Sequence, residues 1–154
     1  MLKYIIAAIA TSCMTFVAVG QPLSENEIRA VNELSGELLE CSVYFTIGVQ
    51  CMRGHPDPSI PRLIKTYEEM STTAGVKSMQ VGKVVGVTDA AVGSRMKLIT
   101  NEMTKSMNNN CVNISVLLER YANFCQQLLQ DMDPRLIELK QDKKCTGSYK
   151  CIVQ

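Results

Sequence analysis

A single histidine, His55, stands in this chain of 154 residues. Any Ser/His or Cys/His nucleophilic mechanism has to pass through it. It lies in a proline-dense stretch, Arg53-Gly54-His55-Pro56-Asp57-Pro58-Ser59-Ile60-Pro61. Loops collect functional residues, so Arg53, His55 and Asp57 form the candidate functional loop. Cys51 and Met52 precede His55 by four and three residues. On one continuous helix all three would face a common metal. Gly54 breaks such a helix first, and Cys51 has a simpler use as a disulfide partner. A structural or solvated loop histidine is therefore the favoured reading. No catalytic residue, metal or cofactor is assigned from this segment.

The remaining reactive types point the same way. Met96, Met103 and Met107 recur at helical spacing. Thioethers bind soft copper(I), but they also fill irregular cores, and core filling is favoured. Glu68 and Glu69 are adjacent, so on a helix they diverge and make no paired-carboxylate site. Asn113-Ile114-Ser115 matches a glycosylation acceptor, a triplet that chance often supplies. Gly82-Lys83-Val84-Val85-Gly86 lacks the Lys-Ser/Thr ending of a phosphate-binding loop.

Cysteine is the informative residue. The seven are Cys13, Cys41, Cys51, Cys111, Cys125, Cys145 and Cys151. None are two residues apart in a C-x-x-C arrangement, so neither a thioredoxin-type nor a zinc-finger spacing is present. Cys13 falls in the N-terminal apolar run, which leaves six for pairing. Six cysteines allow fifteen connectivities. Helix geometry removes some of them. Ten residues of helix place Cys41 and Cys51 ~15 Å apart, and fourteen place Cys111 and Cys125 ~21 Å apart. A disulfide needs Cα atoms within about 7 Å. The bridges must therefore join different elements. If the first and last long helices run antiparallel, Cys51 meets Cys111 and Cys41 meets Cys125. Cys145 and Cys151 would then close a loop in the tail.

The elements that position these groups are helical. Ser24-Glu25-Asn26-Glu27 fits a capping box. The helix it opens carries Ile28, Val31, Leu34, Leu38, Cys41, Phe45 and Met52 at three- and four-residue steps. No charge occurs from Cys41 to Met52, so this half should be buried all round. A second helix starts near Pro61 with Leu63, Ile64, Tyr67 and Met70, and fades through Val81, Val84 and Val85. Gly75, Gly82, Gly86 and Gly93 could form one stripe. A turn at Gly86-Val87 capped by Thr88 and Asp89 is favoured, with helix packing explaining most of the glycines. The third helix carries Val92, Met96, Ile99, Met103 and Met107, and Asn108-Asn109-Asn110 ends it. The fourth carries Ile114, Leu117, Leu118, Tyr121, Phe124, Cys125, Leu128 and Met132. Asp133-Pro134 reads as a cap plus first-turn proline of a short fifth helix through Leu136 and Leu139. The expected fold is all-α: a disulfide-stapled up-and-down bundle of about four main helices plus a short C-terminal helix.

Residues 1–20 read as a signal peptide. Lys3 supplies the charge, residues 5–19 are uncharged, and Ala18-Val19-Gly20 offers a cleavage site before Gln21. The apolar run is short for a membrane span. Ala10-Thr11-Ser12-Cys13 leaves lipid anchoring at Cys13 as a minor alternative. Residues 21–154 then form one helical domain with an irregular tail at 143–154. That part holds fifteen basic and fifteen acidic residues. Its balance gives no attraction to nucleic acid. Acidic Glu25, Glu27, Glu33, Glu37 and Glu40 crowd the first helix, and basic Lys140, Lys143, Lys144 and Lys150 crowd the end. These are two solvated faces that can lie near each other.

The six-cysteine helical pattern resembles saposins and insect odorant-binding proteins in outline. Their closely spaced cysteine pairs are missing, and nothing is carried over. The expected function is non-enzymatic binding of an unknown protein partner outside the cytoplasm, periplasmic or secreted. A carrier of a small apolar ligand, or a metal-dependent protein or enzyme centred on His55, are the alternatives.

Overall fold

The computed structural model describes residues 22–141. Five α-helices and one 3-10 turn account for it: α1 (Glu25–Met52), α2 (Ile60–Val84), α3 (Asp89–Ser106), a turn at Cys111–Asn113, α4 (Ser115–Gln130) and α5 (Asp133–Gln141). No strand occurs among the described residues. The signal-type segment, Cys13, and the tail with Cys145 and Cys151 lie outside them.

α1 begins as its capping box requires. Glu27 donates its backbone N–H to Ser24 Oγ at 3.3 Å, and Ser24 N–H donates to Glu27 Oε2 at 3.0 Å. The uncharged half of this helix is the centre of the molecule. Cys41, Ser42, Val43, Tyr44 and Phe45 are consecutively buried, as are Ile47, Gly48 and Val49. A helix buried on nearly every face needs neighbours on several sides, and α2, α3, α4 and α5 all pack on it.

Directions follow from paired residues. Ser35 lies against Ser78 and Ser42 against Ser71, so α2 runs antiparallel to α1. Disulfides join Cys41 to Cys125 and Cys51 to Cys111, with Cα separations of 5.4 and 5.3 Å. α4 is therefore antiparallel to α1, the arrangement in which these two pairings were expected. α5 continues the direction of α4, with Arg135 at Glu37 and Lys140 Nζ 3.4 Å from Glu27 Oε1. Lys140 of the basic cluster therefore lies at the acidic start of α1, and Lys143, Lys144 and Lys150 fall outside the described residues.

The α1–α2 seam is built from small residues. Ser35 Oγ donates to the Ser78 carbonyl at 3.0 Å, and Ser78 Oγ returns a bond to the Ser35 carbonyl at 2.7 Å. Seven residues along, Ser42 Oγ donates to the Ser71 carbonyl and Ser71 Oγ to the Ser42 carbonyl, both at 2.9 Å. Each hydroxyl thus satisfies itself on the opposing backbone, which requires the two helices to lie close. A Cβ on Gly82 would sit 2.8 Å from Ser35 Oγ, and one on Gly48 would sit 2.8 Å from the Tyr67 ring. Gly75 and Gly82 of the stripe therefore serve this packing. Above the seam, Tyr44 stacks on Tyr121 with ring centres 5.8 Å apart, and Phe45 meets Tyr67 edge-on at 5.2 Å.

Gly86 takes a positive φ of 79° and ends α2 in a turn. Val87 N–H reaches back to the Gly82 carbonyl and Gly86 N–H to the Lys83 carbonyl, the Schellman pattern. Asn108 and Asn109, both at φ 55°, close α3 with the same two bonds. Two expectations need correction. Residues 111–113 form a 3-10 turn, so α4 begins only at Ser115. Asp133 does not cap α5: Asp131 Oδ1 accepts the Asp133 N–H at 3.0 Å, because α5 starts at Asp133 itself.

Candidate binding cleft

The loop around His55 is locally self-contained. Asp57 Oδ1 accepts Ser59 N–H at 2.8 Å and Ser59 Oγ at 2.7 Å. His55 Nδ1 accepts the Asp57 N–H at 3.3 Å. These bonds make an Asx-type turn that delivers the chain into α2. They also account for the Asp57 carboxyl, which the Ser59 bonds hold below its ordinary value. Arg53 forms an exposed ion pair with Glu68 at 3.6 Å. Cys51 is committed to its disulfide and cannot also serve His55 as a metal ligand. Among the described residues no group of three His, Cys, Asp or Glu side chains is placed to hold a metal ion. His55→Ala should change unfolding free energy by no more than about 0.5 kcal/mol in urea denaturation, the scale of an ordinary surface change.

A wide concavity lies elsewhere. α3 packs on α1 and makes only marginal contact with the other helices. One face of α1 is left uncovered between α3 and the α4–α5 column. It is an open cleft of about 770 Å³. Its floor is Arg29, Glu33, Gly36, Glu37 and Glu40, which step along α1 by four, three, one and three residues. Arg95, Leu98 and Glu102 form one wall. Arg120, Tyr121, Phe124 and Arg135 form the other. A second hollow of about 510 Å³ at the α4–α5 break shares Phe124 and Arg135.

The charges are ordered, not merely present. Arg135 holds Glu37 through two nitrogens, with Nε 2.9 Å from Oε2, and also pairs with Glu138 at 2.7 Å. The Glu37 side chain is only 15% exposed, so this pair fixes α5 on α1 more firmly than a surface bridge would. The Arg95 guanidinium lies against Gly36, where a Cβ would come within 3.2 Å of Nη1. The Arg120 guanidinium sits 5.1 Å from the centre of the Tyr121 ring. Leu98 is 58% exposed on its wall and adds apolar surface to the cleft.

Glu40 is half-buried on the floor. Burial pushes its carboxyl above the ordinary 4.5, against the pull of Arg120. The folded state then holds a proton that the unfolded state releases, so stability falls as pH rises through the interval above 4.5. Glu40→Gln should stabilise the fold at about pH 7 and show no gain at about pH 3, below both values. Urea unfolding at the two pH values checks this, and an equal effect at both would contradict it.

The chain matches no protein-family model, no curated protein and no solved structure. The cleft is therefore judged on its own chemistry. None of its residues was singled out as a site from sequence, where Glu33, Glu37 and Glu40 read only as part of a solvated face. The available signal was a charged stripe on the helix whose other faces are apolar.

The methionine and glycine faces do not line this cleft. Met103 and Met107 are buried in the core, whereas Met96, expected beside them, is 38% exposed at the edge of α3. α3 packs chiefly on α1, so only a narrow stripe of it is covered. Ile28 and Leu118, placed on core faces by spacing, are exposed as well.

Proposed function

We infer that this is an exported, non-enzymatic binding protein that takes a polypeptide partner in the cleft along α1. The uncovered face of α1 between α3 and the α4–α5 column carries this reading. Arg95 and Arg120 stand on opposite walls with no acidic partner within ion-pair distance among the described residues, and Glu33 and Glu40 lie on the floor. Leu98 and Phe124 supply apolar contact. A segment bearing both charge signs around an apolar side chain complements that surface, whereas a simple anion or hydrocarbon matches only part of it.

Export is supported by the signal-type N-terminus and by the two bridges, since disulfides persist in oxidising compartments. Among the described residues no helix is long and apolar enough to cross a membrane. The test is a photo-crosslinker placed at Leu98 in the cleft, compared with one at Thr73 on the outer face of α2. A defined protein adduct through position 98 and none through 73 supports the reading. Adducts through 73 alone, or a copurifying small apolar molecule in place of a protein, would overturn it.

A further inference from the structure

We propose that Cys51–Cys111 is a thiol–disulfide exchange site, opened by a dithiol reductant while Cys41–Cys125 stays closed, and that its opening loosens α3. The two bridges sit in opposite environments. Cys41 and Cys125 are each 0% exposed, inside the core between α1 and α4. A thiolate must approach a disulfide sulfur directly, so this bridge is shielded until the core itself opens. Cys111 is exposed, at the start of the 3-10 turn. Asn110 and Val112 beside it are also exposed, Val112 at 84%. Cys51 is half-buried in the last turn of α1.

The chemistry is a two-step exchange. One thiolate of the dithiol attacks Cys111 Sγ, forms a mixed disulfide and expels Cys51 as a thiolate, which takes up a proton. The second thiol of the reductant then attacks the mixed disulfide and releases Cys111 as a thiol. The reductant is oxidised to a disulfide, the protein bridge is reduced to two thiols, and two electrons are transferred.

The position of the bridge decides what its opening does. α3 packs mainly on α1 and lies between two turns in left-handed conformation, Gly86 at one end and Asn108-Asn109 at the other. Between those asparagines and α4, Cys111 is the only covalent tie to α1 among the described residues, the next being Cys125 within α4. Asn113 Nδ2 bonds back to the Met107 carbonyl at 2.9 Å, so the connection moves with the end of α3. Opening the bridge leaves that end held by noncovalent packing, chiefly that of Ile99, Met103 and Met107 in the core. The exchange and the loosening do not depend on the cleft being a binding site, although α3 is one of its walls.

The test treats the folded full chain with increasing dithiothreitol, traps thiols with an alkylating reagent and follows each cysteine by peptide mapping. Cys51 and Cys111 should label at least about tenfold faster than Cys41 and Cys125. In the singly opened species, deuterium uptake should rise across residues 89–113 and stay unchanged in α1. The Cys51→Ala/Cys111→Ala variant should show the same uptake without reductant. Simultaneous labelling of all four cysteines, earlier labelling of Cys41 and Cys125, or unchanged exchange in α3 would each overturn the proposal.

Discussion

Replacing Cys41 and Cys125 together by alanine should lower the unfolding free energy by about 4 kcal/mol, within the range of about 2–5 kcal/mol for native bridges. The bridge closes a loop with a sequence separation of 84, for which the chain-entropy relation gives roughly 4.5 kcal/mol. Both sulfurs are wholly buried, so the variant also loses packing between α1 and α4. A domain of this size has about 5–15 kcal/mol in all, so the loss takes from roughly a quarter to most of its margin. Removing both cysteines avoids leaving one free thiol to mispair. Urea unfolding without reductant measures the effect. The Cys51→Ala/Cys111→Ala variant loses a tie of separation 60 at the exposed end of the bundle and should suffer less. A loss below about 1 kcal/mol for the buried pair would mean that the bridge only decorates an already rigid α1–α4 contact.

The second large effect belongs to the serine seam. Ser78→Leu should cost about 3 kcal/mol, against about 1 kcal/mol for Ser78→Ala. Alanine removes one hydroxyl that donates to a carbonyl on the opposing helix and leaves the spacing intact. Leucine has to fit where Ser78 is 0% exposed and where α1 and α2 approach at the distance of a hydroxyl–carbonyl bond. The helices must separate, and the Ser42–Ser71 pair one heptad away is strained with them. Thr73→Leu, on the exposed face of α2, is the control and should be nearly neutral. Thermal unfolding of the three variants orders them. If leucine at 78 costs no more than alanine, close approach is not what the small residues provide.

Helix boundaries were legible because their signals are local. The capping box at Ser24, the glycine at Gly86 and the asparagines at 108 and 109 each act through bonds to residues within six positions. Disulfide pairing was legible for another reason. Rigid helix rise forbids Cys41 from reaching Cys51, and an antiparallel α4 leaves only one matched arrangement for the four cysteines. What the sequence could not convey was which flank of each helix finds a neighbour. Met96 has the spacing of Met103 but not its burial, because α3 covers one edge of α1 instead of inserting between two helices. The cleft is the counterpart of that fact. Arg95 and Arg120 are far apart in sequence, and only the packing of α3 and α4 about α1 brings both to one cleft. His55 is the chain's single histidine, yet the bond it makes is a local one, Nδ1 accepting the Asp57 N–H within its own turn.

The most direct test of the cleft is the affinity of the purified partner, once captured through position 98, for wild-type protein and for Leu98→Asp. Leu98 is largely exposed, so the substitution should leave the fold intact, which the unfolding curve verifies. Binding should weaken by about tenfold or more for Leu98→Asp, the scale of losing a central apolar contact, with Thr73→Asp unchanged. Equal affinity of Leu98→Asp and wild type would place the partner elsewhere on the molecule and remove the cleft from the account.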